Sequence, residues 1–435
     1  MVSFGKAFIS TILFVGGSFF IPGLAGAGDT SVQAPFNVGE VIERVSHHPR
    51  MEVNRVVIRD KTREVGFEER TPASSGEILL DTTVVYVPAE GRQWFPAVAF
   101  DGVNYLVVWE DGRNGWNGLD IYGTRVSRDG RILDEAGIVI SASLGNQQTP
   151  SVAFDGTNFL VVWMDLRTLR EIYAARVSPD GAVLDPDGIV ISSTSCELWQ
   201  PSVTFGGTNY LVVWSSNMSC IYGSRVSPDG AVLDPNGITI APGANDPSVS
   251  FDGTNYFVVW SDYRGGTFPD IYGSRVSQGG VVLDTTGIAI STRVNRVEEE
   301  TSVAFDGTNY LVTWKDGRNS TYDIYAARIS RGGVVLDSNG IAVSTAAYDQ
   351  FEPSIAFDGN NYFLAWEDHR SGPNRDIYGS RVTPGGAVLD TSGIPISTAA
   401  NHQWNPALVF DGANYMVVWW DNRSGTDVYG ADLTP

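Results

Sequence analysis

Cysteine and histidine are scarce in this chain, with two and four among 435 residues, and the basic residues are outnumbered by the acidic ones, 29 against 50. The net charge of −21, uninterrupted by any Lys or Arg run, argues against nucleic acid and anionic membrane as partners. His47-His48 is the single paired histidine. With no cysteine or acidic cluster at ligand spacing it reads as a solvated loop, so no metal and no cofactor is expected. Long apolar runs are missing as well. Ala7 to Phe20 is shorter than the ~20 residues a membrane span needs, and glycine breaks it. With Lys6 before it and Ala25-Gly26-Ala27 after it, this segment reads as a secretory signal peptide over 1–27. The expectation is an exported protein, extracellular or periplasmic, monomeric and without a membrane span once processed.

What the chain does contain is a repeat. A Phe opening a tight turn recurs at Phe100, Phe154, Phe205, Phe251, Phe305, Phe357 and Phe410, at spacings of 54, 51, 46, 54, 52 and 53 residues. A period of this size indicates a repeat architecture. Each unit carries four strand signals and no helix signal. In the fourth unit they are Ser248 to Phe251, Asn255 to Trp260, Ile271 to Ser277 and Val281 to Ser291, rich in Val, Ile, Tyr, Phe and Trp. Asp-Gly and Gly-Gly pairs between them supply the positive φ that hairpin turns require. Tyr256-Phe257-Val258-Val259-Trp260 is continuously apolar, so both faces of that strand should be buried.

Seven four-stranded antiparallel units buried on both faces fit an all-β, seven-bladed β-propeller. Its blades begin near residues 96, 150, 201, 247, 301, 353 and 406. The seventh unit stops at Pro435 without a fourth strand, and Gly76 to Val87 matches the missing one. The segment 76–88 is therefore expected to close the ring as the outermost strand of blade seven, with Ile78 to Leu80 beside Asp427 to Leu433, which removes an exposed edge. The propeller then spans 76–435. Residues 28–75 form an extension of unknown role, with Val53 to Val57 and Glu64 to Phe67 as a candidate hairpin.

Two polar patterns recur with the strands. After the second-strand Trp comes Asp-X-Arg, as Asp111 and Arg113, Asp165 and Arg167, Asp262 and Arg264, Asp316 and Arg318, Asp368 and Arg370, Asp421 and Arg423. An acid opens the third strand of the same blades. The Arg fork is expected to bridge the two acids as a structural staple, the alternative being a ring of ligand-contacting arginines. Blade three has Ser216 and Met218 instead, with Cys220 at the start of its third strand. Cys196, in the loop entering that blade, lies on the same upper face, and a Cys196–Cys220 disulfide is expected in an exported protein. The third strands also repeat an Arg, paired with an Asp of the fourth, such as Arg125 with Asp134.

Function is sought where the copies differ. The loops entering four blades carry an aromatic, Trp94, Trp199, Phe351 and Trp404, with Trp420, Trp116, His369 and His402 nearby. Aromatic rings beside hydrogen-bonding side chains suit a sugar, which offers an apolar face to stack and hydroxyls to bond. Packing between blades is the competing account. Of the acids, Glu110, Glu367 and the run Glu298-Glu299-Glu300 stand apart from the repeat.

Over residues 76–435 the chain resembles secreted, bacterial-type seven-bladed propeller repeat proteins. It shares only architecture with WD40, kelch and sialidase propellers, because it has no Gly-His…Trp-Asp pair, no paired-glycine signature and no Ser-X-Asp-X-Gly-X-Thr-Trp box. The resemblance implies a fold and leaves activity open. The primary expectation is a non-enzymatic module that binds a glycan or protein at the upper face. A sialidase-like or other glycoside hydrolase or lyase is the alternative, and a structural cell-surface component the third.

Overall fold

The computed structural model describes residues 91–435, apart from 116–117, 193–196, 218–219, 294–295 and 424, together with the backbone of three short strands before them. The repeat forms seven four-stranded antiparallel sheets in a ring. Blade one consists of an inner strand Gln93–Phe100, a second strand Asn104–Asp111, a third strand Asp120–Ser127 and an outer strand Ile138–Ser141. The other inner strands are Gln147–Phe154, Leu198–Phe205, Ala244–Phe251, Glu298–Phe305, Gln350–Phe357 and Gln403–Phe410.

The apolar second strand is buried on both faces, as its sequence requires. Alternate side chains point to opposite faces of a strand, so Leu106 and Val108 pack with Phe159, Val161 and Trp163 of blade two. Tyr105, Val107 and Trp109 pack with Met416, Val418 and Val428 of blade seven. The same division repeats around the ring. The second-strand tryptophans, Trp109, Trp163, Trp214, Trp260, Trp314, Trp366 and Trp419, are all fully buried.

Tyrosine hydroxyls reinforce five of the seven interfaces on the lower face. The hydroxyls of Tyr210, Tyr256, Tyr362 and Tyr415 donate to the carbonyls of Asn158, Asn209, Asn309 and Asn361 in the preceding blade, at 2.6–3.2 Å. At the junction of blades seven and one, Tyr105 donates to Asp411 Oδ2 at 2.8 Å, and the Gln93 amide donates to the Thr426 carbonyl at 2.9 Å.

Glu77–Leu79 lies beside the third strand of blade seven, Asp427–Leu433, with Ile78 opposite Gly430. Earlier in the chain, Val56–Val57 pairs with Gly66–Phe67 within the expected hairpin. The signal segment, residues 1–27, lies outside the described residues. Among the described residues no helix is long and apolar enough to cross a membrane.

Candidate active site

The inner strands line the central channel, and each bends at its upper end through an irregularity in register, in blade one between Trp94 and Ala97. The bend is made by one residue per blade in the left-handed region: Phe95, Thr149, Gln200, Asp246, Glu300, Glu352 and Asn405, with φ between 48° and 59°. Positive φ is costly for residues with a Cβ, most of all a β-branched one such as Thr149. Seven such residues, at equivalent positions, line a cavity of about 320 Å³ at the upper mouth of the channel. Strain held at one position in every blade, around a cavity, marks a candidate site. The volume is at the small end for a small-molecule pocket.

Carboxylates of the preceding blade satisfy three of the bent amides. Glu110 Oε1 accepts from Thr149 N at 2.6 Å, Glu300 Oε2 from Glu352 N at 2.7 Å, and Glu367 Oε1 from Asn405 N at 2.9 Å. Glu110 and Glu367 are 1% exposed. Burial pushes the Glu110 carboxyl up to about 8, opposed by the bond from Thr149. It pushes Glu367 up to about 7, opposed by the Asn405 amide and by Arg375, whose Nη1 lies 2.8 Å from Oε2.

The ring positions of blades four, five and six are all acidic. Enclosure raises Asp246 to about 6, against a bond from Gln200. Glu300 is also raised by enclosure, and Lys315 pulls it back. Lys315 Nζ contacts Glu300 Oε1 directly and lies 2.7 Å from Glu299 Oε1. Glu352 differs from its neighbours. Its carboxylate faces the water of the channel while protein surrounds it, and it makes no hydrogen bond or ion pair with a described residue. That enclosure, with Glu300, Glu367 and Asp246 around it, holds its carboxyl well above the ordinary range. The described His, Cys, Asp and Glu side chains form no group arranged to hold a metal ion.

Of the acids singled out in sequence, Glu300 lines this mouth, Glu110 and Glu367 brace two of its bent residues from behind, and Glu299 meets Lys315. Glu298 does not: it is buried at the position held by Gln93, Gln147, Gln350 and Gln403 in other blades and accepts a bond from Ser291 at 2.7 Å. Asp246 and Glu352 were missed. Their signal is positional, the residue directly before the inner-strand proline, one place after the aromatic column.

The predicted aromatics sit at the rim with their rings already engaged. Trp404 stacks on Trp420, with His402 4.9 Å away. Phe351 contacts Tyr322 and His369 and lies under Lys315 and Arg375. The Arg170 guanidinium covers Trp199 at 3.5 Å, and that of Arg92 lies 5.8 Å from Trp94. Trp116 lies outside the described residues.

The Asp-X-Arg motif forms an ion pair in six blades. Its geometry differs from the expected bridge between two acids. Arg113 gives Nε and Nη2 to Asp111 at 2.7 and 2.6 Å, directs Nη1 toward the Ala136 carbonyl and lies over Tyr122. The fork is thus engaged, and Asp120 is held by Asn114 instead, at 2.7 Å. The buried Asp also accepts from the indole of the preceding Trp, at 2.9 Å in Trp109. In blade three that partner is missing, and Trp214 Nε1 is buried without a hydrogen bond to a described residue. Cys220 is half-buried and forms no disulfide with a described residue, and its expected partner Cys196 lies outside the described residues. The third-strand arginines pair as expected, for example Arg125 with Asp134 at 2.8 Å.

Solved structures with a similar fold include a puromycin hydrolase, 12% identical over 82% of this chain and 54% of that one, with a TM-score of 0.51. A puromycin-hydrolyzing peptidase from Mycobacterium tuberculosis is 13% identical over 79% of this chain and 51% of its own, with a TM-score of 0.52. An oligogalacturonate lyase from Vibrio parahaemolyticus is 10% identical over 82% of this chain and 96% of its own, with a TM-score of 0.51. The chain spans about half the length of the puromycin hydrolases it matches. At this identity the likeness is one of fold. No protein-family model matches the sequence, and no curated protein matches it. The expectation of a non-enzymatic binding module is corrected on two findings. The three propellers named above are enzymes, and the mouth is lined by the carboxylates of Asp246, Glu300 and Glu352, with the aromatic rings packed against local partners at its rim.

Proposed function

We propose that the protein is an exported glycoside hydrolase whose active site is the upper mouth of the channel, with Glu352 as the general acid. The observation that carries this reading is the state of Glu352: a carboxyl open to the water of the cavity, with no bonding partner among the described residues, held well above its ordinary range by the protein packed around it and by the charges of Glu300, Glu367 and Asp246. Such a group keeps its proton to higher pH than an ordinary carboxyl, as protonating a glycosidic oxygen requires, while a second carboxylate nearby serves as the ionised partner. The rim supports a sugar: the packed rings of Phe351, Trp404 and Trp420 present apolar edges beside Asn405, His402 and Arg375. The acidic surroundings favour a neutral glycan over a uronate. Export rests on the signal-like segment 1–27, and N-terminal sequencing of protein recovered outside the cytoplasm tests it.

The activity is tested by digestion of a panel of neutral and uronate polysaccharides and aryl glycosides. Cleavage of a neutral glycoside is expected, with Glu352→Gln reducing kcat by roughly 10²- to 10⁴-fold, the range of general acid catalysis, and leaving the melting temperature near wild type. Full activity in that variant, or no cleavage across the panel, rejects the assignment. An unsaturated product from a uronate would move the protein to the lyases.

A further inference from the structure

The carboxylates of Glu300 and Glu352 come from adjacent blades, and the Glu352 amide donates to Glu300 at 2.7 Å, so the two ring positions are joined through the backbone. They differ in one contact. Glu300 Oε1 meets Lys315 Nζ, while the Glu352 carboxylate meets no cation of the described residues directly. Lys315 is 6% exposed. It occupies the second-strand position held by Glu110, Met164, Ser215, Ser261, Glu367 and Trp420 in the other blades. It is therefore the single cation in that column of the repeat.

We propose that Lys315 is a positioning residue that keeps Glu300 ionised and so leaves the proton of the pair on Glu352, making Glu300 the carboxylate that accepts a proton from the attacking water. The groups facing the pair are few. Glu352 is faced by Glu300, Glu367, Asp246 and Lys315. Glu300 is faced by Lys315, Glu299, Asp246, Glu367 and the Glu352 amide. Lys315 itself is held by Glu299 and Glu300 and lies 5.0 and 5.3 Å from the rings of Tyr322 and Phe351, with Tyr263 within electrostatic reach. Arg375 is spent on Glu367. A buried cation that touches one of two neighbouring carboxylates stabilises charge on that one, and the proton stays on the other.

Both oxygens of Glu300 are already hydrogen-bonded, which suits proton acceptance better than covalent attack. In the step that follows, Glu352 gives its proton to the glycosidic oxygen as the bond from that oxygen to the anomeric carbon breaks. Water bonds to the same carbon and loses a proton to Glu300. Exchange of one proton with solvent then restores the pair. The second half of the inference rests on the glycosidase reading, and the location of the proton does not.

The experiment is a carbon-13 carboxylate titration by NMR of the whole protein, with Glu300 and Glu352 assigned from Glu300→Gln and Glu352→Gln. In the wild type, Glu300 is expected ionised and Glu352 protonated at pH 7. In Lys315→Met the Glu300 midpoint should rise by about one pH unit or more, a tenfold gain in proton affinity, and Lys315→Arg should restore it. Unchanged titration in a folded Lys315→Met protein overturns the inference. If that variant does not fold, the wild-type spectrum decides alone, because a protonated Glu300 at pH 7 refutes it. A correct titration with no glycoside cleaved would sink the functional reading and leave the proton assignment standing.

Discussion

The indole rings of Trp404 and Trp420 stack with centroids 3.8 Å apart and planes 16° apart, as cross-strand partners in blade seven. Trp420 Nε1 also donates to Asn405 Oδ1 at 2.7 Å, which ties the pair to the bent residue of that blade. Stacked pairs contribute about 0.5–1.5 kcal/mol beyond the area they bury. Trp404→Ala should therefore lower stability by at least that amount in urea denaturation. Because Asn405 loses its braced neighbour, glycan turnover should fall in the same variant. Loss of turnover with unchanged stability would mean that the Trp404 ring serves the ligand alone.

Blade three tests the Asp-X-Arg staple by its absence. Introducing Ser216→Asp together with Met218→Arg gives Trp214 Nε1 the acceptor that the other blades have, and should stabilise the protein by about 1 kcal/mol, the net worth of a hydrogen bond. The converse change, Asp262→Ala, removes the partner of Trp260, of the Arg264 amide and of the Arg264 fork. It should cost roughly 3–5 kcal/mol, as breaking a buried pair does. Chemical denaturation of the two proteins beside wild type measures both effects.

Glu110 and Glu367 impose a pH dependence on folding. Their carboxyls are raised from an ordinary 4.5 to about 8 and about 7, so the folded protein binds more protons than the unfolded chain across that interval. This contribution is complete below about pH 4.5 and is lost as pH rises through 7 and 8. Glu110→Gln keeps an acceptor for the Thr149 amide without the ionisation. It should match wild type near pH 5 and exceed it in melting temperature near pH 9. Parallel stability curves for the two proteins from pH 5 to 9 would contradict this.

Ring closure by Glu77–Leu79 predicts a sharp difference between two truncations. Removing residues 28–70 should leave a soluble protein with cooperative unfolding. Removing 28–87 strips the outer strand from blade seven and leaves the backbone groups of its third strand exposed, a template for aggregation. A soluble, cooperatively folding protein after the longer deletion would show that the Tyr105–Asp411 and Gln93–Thr426 contacts hold the ring without it.

The fold was legible because its signals repeat: the turn Phe, the apolar second strand and the Asp-Gly turns each occur blade after blade, so chance matches average out. The site was only half legible. Glu110, Glu367 and Glu300 stood out as acids that break the pattern, yet nothing in the sequence placed them together, since they come from residues far apart in the chain. Asp246 and Glu352 escaped because a residue before proline is expected to be extended, and attention fell on the aromatics one position earlier. The left-handed bend that turns this column toward the channel is a tertiary property of the inner strand, set by the bulge and, in three blades, braced by a carboxylate of the preceding blade.

That bend separates what holds the molecule together from what it presents. Phe, Thr, Gln, Asp, Glu and Asn all occupy the same backbone conformation in equivalent places, so the scaffold dictates the direction of each side chain without dictating its identity. Seven single-codon positions thus act as an editable palette, and exchanging residues among them would redraw the chemistry of the mouth while the sheets beneath stay as they are.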